Sequence, residues 1–402
     1  MFSRRAVVRG LVAGVAGSTV VGTAASPDGE ETGDDVDGAS TTGQVASDDA
    51  APVYRYDAGN TGVTDATGPT TSPSVRWRRA FPGPLFAPPA VGDGTLYQTV
   101  SDGQLVALET VGGTRQWHVE TPRGLSTTPA LAESGVVLAN ENRTVQSLQR
   151  DDGTVQWAVP TVARGGGQCA PALANGLVYT GGADGLVHGF DVETGRPHWE
   201  LRLPDAVASS LAVGDDRLFV AAGRTVFAVD ATRASEATAV PRGVVPATRE
   251  PAWETRLDAR VDPGVAVRDD RVVVGTDDGV TALATGDGSR QWETETRTPV
   301  SGSPAVADDR IVAPTVGGRL VGLALDGEEL WRANLGVRLD TPPVVADGTA
   351  YLAAEDVLAA VGTANGGLQW RTRREGSTPA APVAVDDRLY VADWNGTLAA
   401  FE

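Results

Sequence analysis

Lysine is absent from the sequence. All 33 basic residues are arginine, set against 52 acidic ones, for a formal net charge of -19. A chain of that balance has no general means of neutralising a phosphate backbone, which argues against nucleic-acid partners. One cysteine, Cys169, excludes an internal disulfide and any multi-cysteine metal site. It lies two residues before Pro171, where other parts of the chain carry Ala87, Thr127, Ser209, Gly302 and Ala380, so a small buried residue is expected there. With no lysine, a single cysteine and no Gly-x-Ser-x-Gly elbow, no side chain stands out as a covalent nucleophile. The three histidines, His118, His188 and His198, lack metal-ligand spacing; His118 and His198 flank tryptophans, where a surface position is expected. A glycine-rich run at residues 164–168 precedes a strand signal and not a helix, so it does not read as a phosphate loop.

What is present begins with an export-type leader, residues 1–25. Ser3-Arg4-Arg5 and Arg9 supply a charged start, and residues 11–25 a weakly apolar run too short and too rich in Gly, Ser and Thr for a membrane span. The pattern resembles a twin-arginine signal, which routes folded proteins out of the cytoplasm. Residues 26–52 are small and polar, with eight acids and no base between residues 26 and 50, and are expected to form a disordered linker. The acidic, lysine-free composition resembles that of proteins from salt-loving archaea, in which molar salt screens self-repulsion. These features predict an exported protein of the extracellular space or cell envelope, monomeric and free of transmembrane spans after processing.

Order is expected to begin at Val53, with Tyr54, Tyr56 and the turn-like run Asp57-Ala58-Gly59-Asn60-Thr61-Gly62, and from Trp77 onward the chain repeats. Residues 169–199 contain three apolar runs and a short segment closing on Trp199, separated by Asn175-Gly176, Asp184-Gly185 and Thr194-Gly195, the grammar of a four-stranded antiparallel meander. Trp77, Trp117, Trp157, Trp199, Trp253, Trp292, Trp331 and Trp370 follow one another at intervals of 40, 40, 42, 54, 39, 39 and 39 residues. Twelve residues past the Trp, fourteen in one case, comes a proline or an aliphatic residue: Pro89, Pro129, Pro171, Leu211, Val265, Pro304, Pro343 and Pro382. Four residues further stands an acid or Asn. Units of about 40 residues with four strands each predict an all-β, eight-bladed β-propeller over residues 53–402. Strand signals after Trp370 number three, and an isolated one lies at residues 75–78, so pairing these termini is expected to close the ring.

Each of the eight tryptophans falls on the fourth, outermost strand, usually with Gly four residues earlier. A structural role is expected, the indole covering the seam with a neighbouring blade and the glycine permitting a turn and close approach. The run Asp191-Val192-Glu193-Thr194-Gly195-Arg196-Pro197-His198-Trp199 resembles the tryptophan-docking repeat of the quinoprotein-type, or PQQ-like, propeller family. The other units keep the Trp and often the Gly. The resemblance covers residues 77–402 and implies the propeller. For catalysis it implies two alternatives, because the family includes pyrroloquinoline quinone- and calcium-dependent dehydrogenases and also non-enzymatic members such as the assembly factor BamB. In the dehydrogenases the resemblance implies a calcium-binding carboxylate and amide set, an aspartate base, a tryptophan under the quinone and often an adjacent cysteine pair, which this chain cannot form.

Three features are candidates for function. Trp394, in the turn 393–396, is the one tryptophan outside the docking set and reads as a stacking platform, a partner-binding aromatic or a plain turn residue. Arg123, Arg164, Arg260, Arg297, Arg338 and Arg374 lie four to seven residues past a tryptophan and would form a basic funnel for an anion or acidic peptide if they crowd the centre of the ring, or pair with acids if they stay on the rim. An insertion, residues 231–251, is expected on the face opposite those loops. Acidic turns at Asp102-Gly103, Asp184-Gly185 and Asp277-Asp278-Gly279 suit either hairpins or calcium. The sequence favours a non-enzymatic scaffold for protein or peptide partners, with no catalytic residue, metal or cofactor assigned; a quinone-dependent dehydrogenase and a small-anion binder are the alternatives.

Overall fold

Eight four-stranded antiparallel sheets, arranged as a ring, make up the computed structural model. It describes residues 51–121, 124–140, 143–161, 169–207, 209–232, 247–261 and 264–402. The leader and residues 26–50 of the linker, Arg123, Arg164, the glycine-rich run before Cys169 and most of the 231–251 insertion lie outside these residues. The first blade consists of Ala90–Gly92, Thr95–Thr99, Gln104–Glu109 and Arg115–Glu120. The innermost strands of the second to seventh blades are Ala130–Leu131, Ala172–Ala174, Ala212–Gly214, Val265–Arg268, Ala305–Val306 and Val344–Ala346. In the eighth blade Val383–Val385, Arg388–Ala392 and Thr397–Phe401 are completed by Val75–Ala80, which pairs antiparallel with the last strand. The expected closure by the two ends of the sequence is therefore present.

Burial follows strand position. Strands such as Leu177–Gly181 are buried at every residue because both faces of the sheet pack against neighbouring blades, whereas outer strands such as Val155–Pro160 bury mainly the tryptophan. The turn-forming residue four positions past the proline takes the left-handed conformation in six blades, at Asp93, Asn175, Asp215, Asp269, Asp347 and Asp386. Asp and Asn tolerate that conformation better than other side-chain-bearing residues.

Seven of the eight tryptophans donate their indole N–H to a backbone carbonyl. Trp77, Trp117, Trp157, Trp253, Trp292 and Trp331 reach Thr110, Arg150, Val192, Thr285, Leu325 and Thr363 of the next blade at 2.6–3.0 Å. The glycine against each of these rings also comes from the next blade: Gly195, at φ 66°, lies on Trp157, and a Cβ there would stand 2.5 Å from the ring. Trp370 has no following turn to dock into, since the eighth blade ends in the exchanged strand. Pro69 supplies the carbonyl instead, at 2.9 Å.

Blade three departs from the pattern. Trp199, fully buried, has no indole partner among the described residues, and Arg249 lies 5.4 Å above its ring where other blades place glycine. Ala247–Thr248, at the end of the insertion, add a parallel fifth strand beside Trp199 and Glu200. The lengthened connection of blade four thus covers the outer edge of blade three.

Candidate functional site

An inner strand has one edge paired within its blade and the other facing the axis of the ring. At the second residue past the proline position, seven of the eight blades send an amide N–H to one segment, residues 51–62. Val91, Leu131, Val213, Val267, Val306 and Val345 donate to the carbonyls of Ala51, Pro52, Ala58, Gly59, Thr61 and Gly62 at 2.7–2.9 Å. Ala384 donates to the Tyr56 hydroxyl at 2.6 Å. Leu173, at the same position of blade three, packs in one buried cluster with Val53. The segment is a hairpin that plugs the ring and satisfies amides that would otherwise be orphaned.

Its direction follows from register. Ala51 pairs antiparallel with Val91, and Val63–Thr64 pair parallel with Val345–Ala346. Thr67 then accepts from Asp387, in the turn after the inner strand of blade eight. The hairpin enters and leaves by the face carrying those turns, and its tip at Tyr54 reaches the opposite face, where the inter-blade loops converge. Ala51 and Pro52, assigned to the linker from sequence, already belong to it.

Arg55 anchors the tip. Its guanidinium is buried and donates to the carbonyls of Asn60, Thr61, Ser303 and Pro304 at 2.6–3.2 Å. Burial lowers its pKa, opposed by the neighbouring Tyr54 and Asp57. Burial pushes the Asp57 carboxyl up, opposed by hydrogen bonds from Thr61 and by Arg55.

Above Tyr54 lies a cavity of about 270 Å³, the mouth of the plugged ring, with residues from all eight blades on its wall. The residues one or two before each proline position line it: Ala87, Thr127, Ala170, Ser209, Ser210, Gly264, Ser303 and Ala380 among them. Most of the wall is hydroxyl, methyl or proline ring. Among the described residues the Ser209 and Ser301 hydroxyl oxygens have no hydrogen-bond partner, and Ser209 is only 8% exposed. Burial of a hydroxyl without a partner is costly and points to a polar ligand or ordered water there.

At the rim Trp394 is 49% exposed and meets Phe86 edge-on, with ring centroids 5.0 Å apart; Phe86 lines the mouth. Of the stacking, partner-binding and turn roles open for Trp394, its exposed face at the rim suits contact with something outside the chain.

The described members of the arginine set do not gather around this mouth. Arg260, Arg297, Arg338 and Arg374, the four of the six that are described, are absent from its wall. Arg338 is exposed and pairs with Asp340 at 2.6 Å. Arg374 is buried, donates to the Glu355 and Glu375 carbonyls and lies 3.9 Å from Asp393. Arg297 is exposed in a left-handed turn. The physical reason is spacing: four to seven residues past an outer-strand tryptophan the chain is still crossing the blade's periphery, and it reaches the axis only at the proline position. Arg260 instead joins Arg224 and Arg256 in a separate cavity.

Two of the three acidic turns have their carboxylates bonded within their own hairpins, and in the turn 277–279 the Thr276 hydroxyl takes that part. Asp102 accepts from the Gln104 amide and side chain, and Asp184 from the Leu186 amide. Among the described residues no three His, Cys, Asp or Glu side chains gather as a metal-binding group. His118 is exposed, but His198 is buried because its strand is covered by Ala247–Thr248. His188 is buried too, stacked on Phe190, and burial lowers its pKa to about 4. The Cys169 thiol is buried, contacts the Val207 and Ser209 carbonyls, and is pushed up to about 12.

A family model described as outer membrane protein assembly factor BamB matches residues 17–143, 141–237, 236–328 and 323–402. The chain belongs to the BamB family. BamB of Moranella endobia is 24% identical over 144 residues, covering 32% of this chain and 37% of that protein, so the chain aligns with little more than a third of this relative. Among solved structures, BamB from Moraxella catarrhalis has a TM-score of 0.68 at 15% identity, covering 82% of this chain and 98% of that one. The quinohemoprotein alcohol dehydrogenase of Comamonas testosteroni reaches the same TM-score, 0.68, at 14% identity, covering 88% of this chain and 80% of that one. At such identities these two likenesses establish the fold alone.

A quinone with calcium asks for six to eight oxygen ligands around the metal and an aromatic platform. The mouth has aromatic rings at Tyr54 and Phe86, but for a metal its described residues offer Ser and Thr hydroxyls and one carboxylate, Asp340, which is engaged by Arg338, and the hairpin occupies the axis below. These residues do not fit that pair of ligands.

Proposed function

We propose that this BamB-family propeller is a non-enzymatic scaffold that holds a protein or peptide partner in its mouth, outside the cytoplasmic membrane. The observation that carries the reading is the plugged axis. With seven inner-strand amides capped by residues 51–62, the ring is closed at its centre and presents a concavity at its mouth, where an exposed Trp394 and serine hydroxyls without a partner among the described residues await contacts. A concave site with a few polar groups and an aromatic rim suits an inserted loop or chain segment. Export by the twin-arginine route, function at high salt and a monomeric state belong to the same proposal and rest on Ser3-Arg4-Arg5 and on the lysine-free charge of -19.

Site-specific photocrosslinking in the native envelope tests it. A crosslinker at residue 394 should trap a discrete partner, whereas one at Val111, exposed in a turn on the opposite face, should not. Equal trapping from both positions would remove the mouth as the docking face. Stoichiometric binding of pyrroloquinoline quinone and calcium, with dye-linked alcohol or sugar oxidation, would replace the scaffold by a dehydrogenase.

A further inference from the structure

Two Asn-x-Ser/Thr triplets occur in the sequence, Asn142-Arg143-Thr144 and Asn395-Gly396-Thr397. Asn142 lies outside the described residues. Asn395 is exposed in the turn between Arg388–Ala392 and Thr397–Phe401 of blade eight, next to Trp394 on the rim of the mouth. An asparagine of such a triplet can accept a glycan only where a transferase reaches its amide, and an exposed turn offers that in the finished fold.

The turn makes no use of the asparagine side chain. In the corresponding turns of blades one and three the residue before glycine is Asp102 or Asp184, whose carboxylate accepts from the amide two residues on, Gln104 at 3.1 Å and Leu186 at 3.3 Å. In blade eight that amide belongs to Thr397, and Asp393 takes it at 2.8 Å together with the Asn395 amide at 2.9 Å. The Asp393 carbonyl closes the turn by accepting from Gly396 at 3.2 Å. Asn365 shows what an asparagine does when a turn depends on it: its Oδ1 accepts from the Gly367 amide at 2.8 Å, and no hydroxyl residue stands two positions on. The Asn395 side-chain amide and the Thr397 hydroxyl, by contrast, have no hydrogen-bond partner among the described residues.

We propose that Asn395 is an N-glycan acceptor. The inference rests on the export part of the scaffold reading, and the route proposed there carries folded chains, so the acceptor has to be reachable after folding. The donor is a lipid-phosphate-linked oligosaccharide, brought by a transferase of the envelope. A bond forms between the Asn395 side-chain nitrogen and the anomeric carbon of the sugar; the bond from that carbon to the phosphate oxygen breaks, the lipid phosphate leaves with the electron pair, and the amide gives up one proton. The glycan places a solvated chain beside the exposed Trp394 ring and narrows the directions from which a partner reaches it.

Peptide mapping by mass spectrometry, on the full chain recovered from its native cells, tests this. Cleavage after arginine releases residues 389–402, in which Asn395 is the one asparagine. From exported protein that peptide should carry an added oligosaccharide mass on Asn395. Thr397→Ser should keep the mass, whereas Thr397→Ala and Asn395→Gln, each exported and with an unchanged circular dichroism melt, should lose it. A bare peptide from the exported wild-type chain overturns the inference, as does a sugar that persists in Thr397→Ala; crosslinking at residue 394 retained in either case leaves the scaffold reading standing. Protein held in the cytoplasm with a bare peptide defeats export and glycosylation together.

Discussion

Replacing Arg55 by methionine keeps the apolar stem of the side chain and removes the group that ties the hairpin tip to blade six. Four carbonyls lose a charged donor at once, two of them, Ser303 and Pro304, about 250 residues away in sequence. A hydrogen bond to a charged group contributes about 1.5–3 kcal/mol and such terms are not additive, while the guanidinium no longer has to be desolvated. The net cost should be about 3–5 kcal/mol, a large part of the roughly 5–15 kcal/mol by which a folded protein is stable. For an ordered body of this size that is a fall in Tm of about 4–7 °C, measured at fixed high salt. There is also a pH signature. Asp57 is already raised by burial and loses a neighbour that opposes the rise. A carboxyl raised on folding holds its proton more tightly in the folded chain, so the variant's deficit should narrow as pH falls through the Asp57 pKa. An unchanged Tm, with only the 51–69 segment becoming protease-sensitive, would show that the plug is an ornament on an independently stable ring.

Three further measurements follow from the packing. Gly195→Ala puts a Cβ 2.5 Å from the Trp157 ring at φ 66° and should cost about 2–4 kcal/mol, whereas Gly286→Ala, with open space around it, should change little in the same denaturant titration. His188, with its pKa lowered to about 4, stays neutral in the folded chain while the unfolded chain takes up a proton near pH 6.5. Stability of about 3 kcal/mol present above pH 6.5 should therefore drain away as pH falls towards 4, and His188→Leu should flatten that stretch of the profile. Cys169 should resist a thiol-specific chromogenic reagent in the folded protein at pH 8 and react stoichiometrically in denaturant; rapid reaction without denaturant would contradict its burial.

The ring was legible because its devices recur. Tryptophan, the proline or aliphatic residue after it and the turn residue keep their spacing in all units but one, so the repeat predicts strand order, turn position and even the exchanged strand at residues 75–78, which the structure extends to residue 80. The partner of each glycine was not legible. Gly195 precedes Trp199 by four residues, yet it packs on Trp157, and only the stacking of blades distinguishes those two distances. The plug was hidden for a related reason. Residues 51–62 carry no period, and what they offer the ring is mostly main-chain carbonyl, which no side-chain pattern encodes. Tyr56, Asn60 and the turn-like glycines marked an ordered segment without saying where it goes. The arginines left funnel and rim both open because their count from the tryptophan does not show how far the loop has travelled towards the axis, which the proline position marks.

The hairpin also dictates the order in which the molecule can be finished. Tyr56 meets Ala384 across 328 residues, and Val75–Ala80 waits for Thr397–Phe401 before its blade exists. Contacts of such separation carry a large loop-closure cost and slow folding. The hairpin can gain partners blade by blade from Val91 onward, but its full set exists, and the circle closes, only when blade eight has formed. Full seating of the hairpin and closure of the circle then become one late, concerted step, and refolding followed through Tyr56 labelling should show it as the slowest phase. A protein built this way reaches its fully closed form as a whole or not at all.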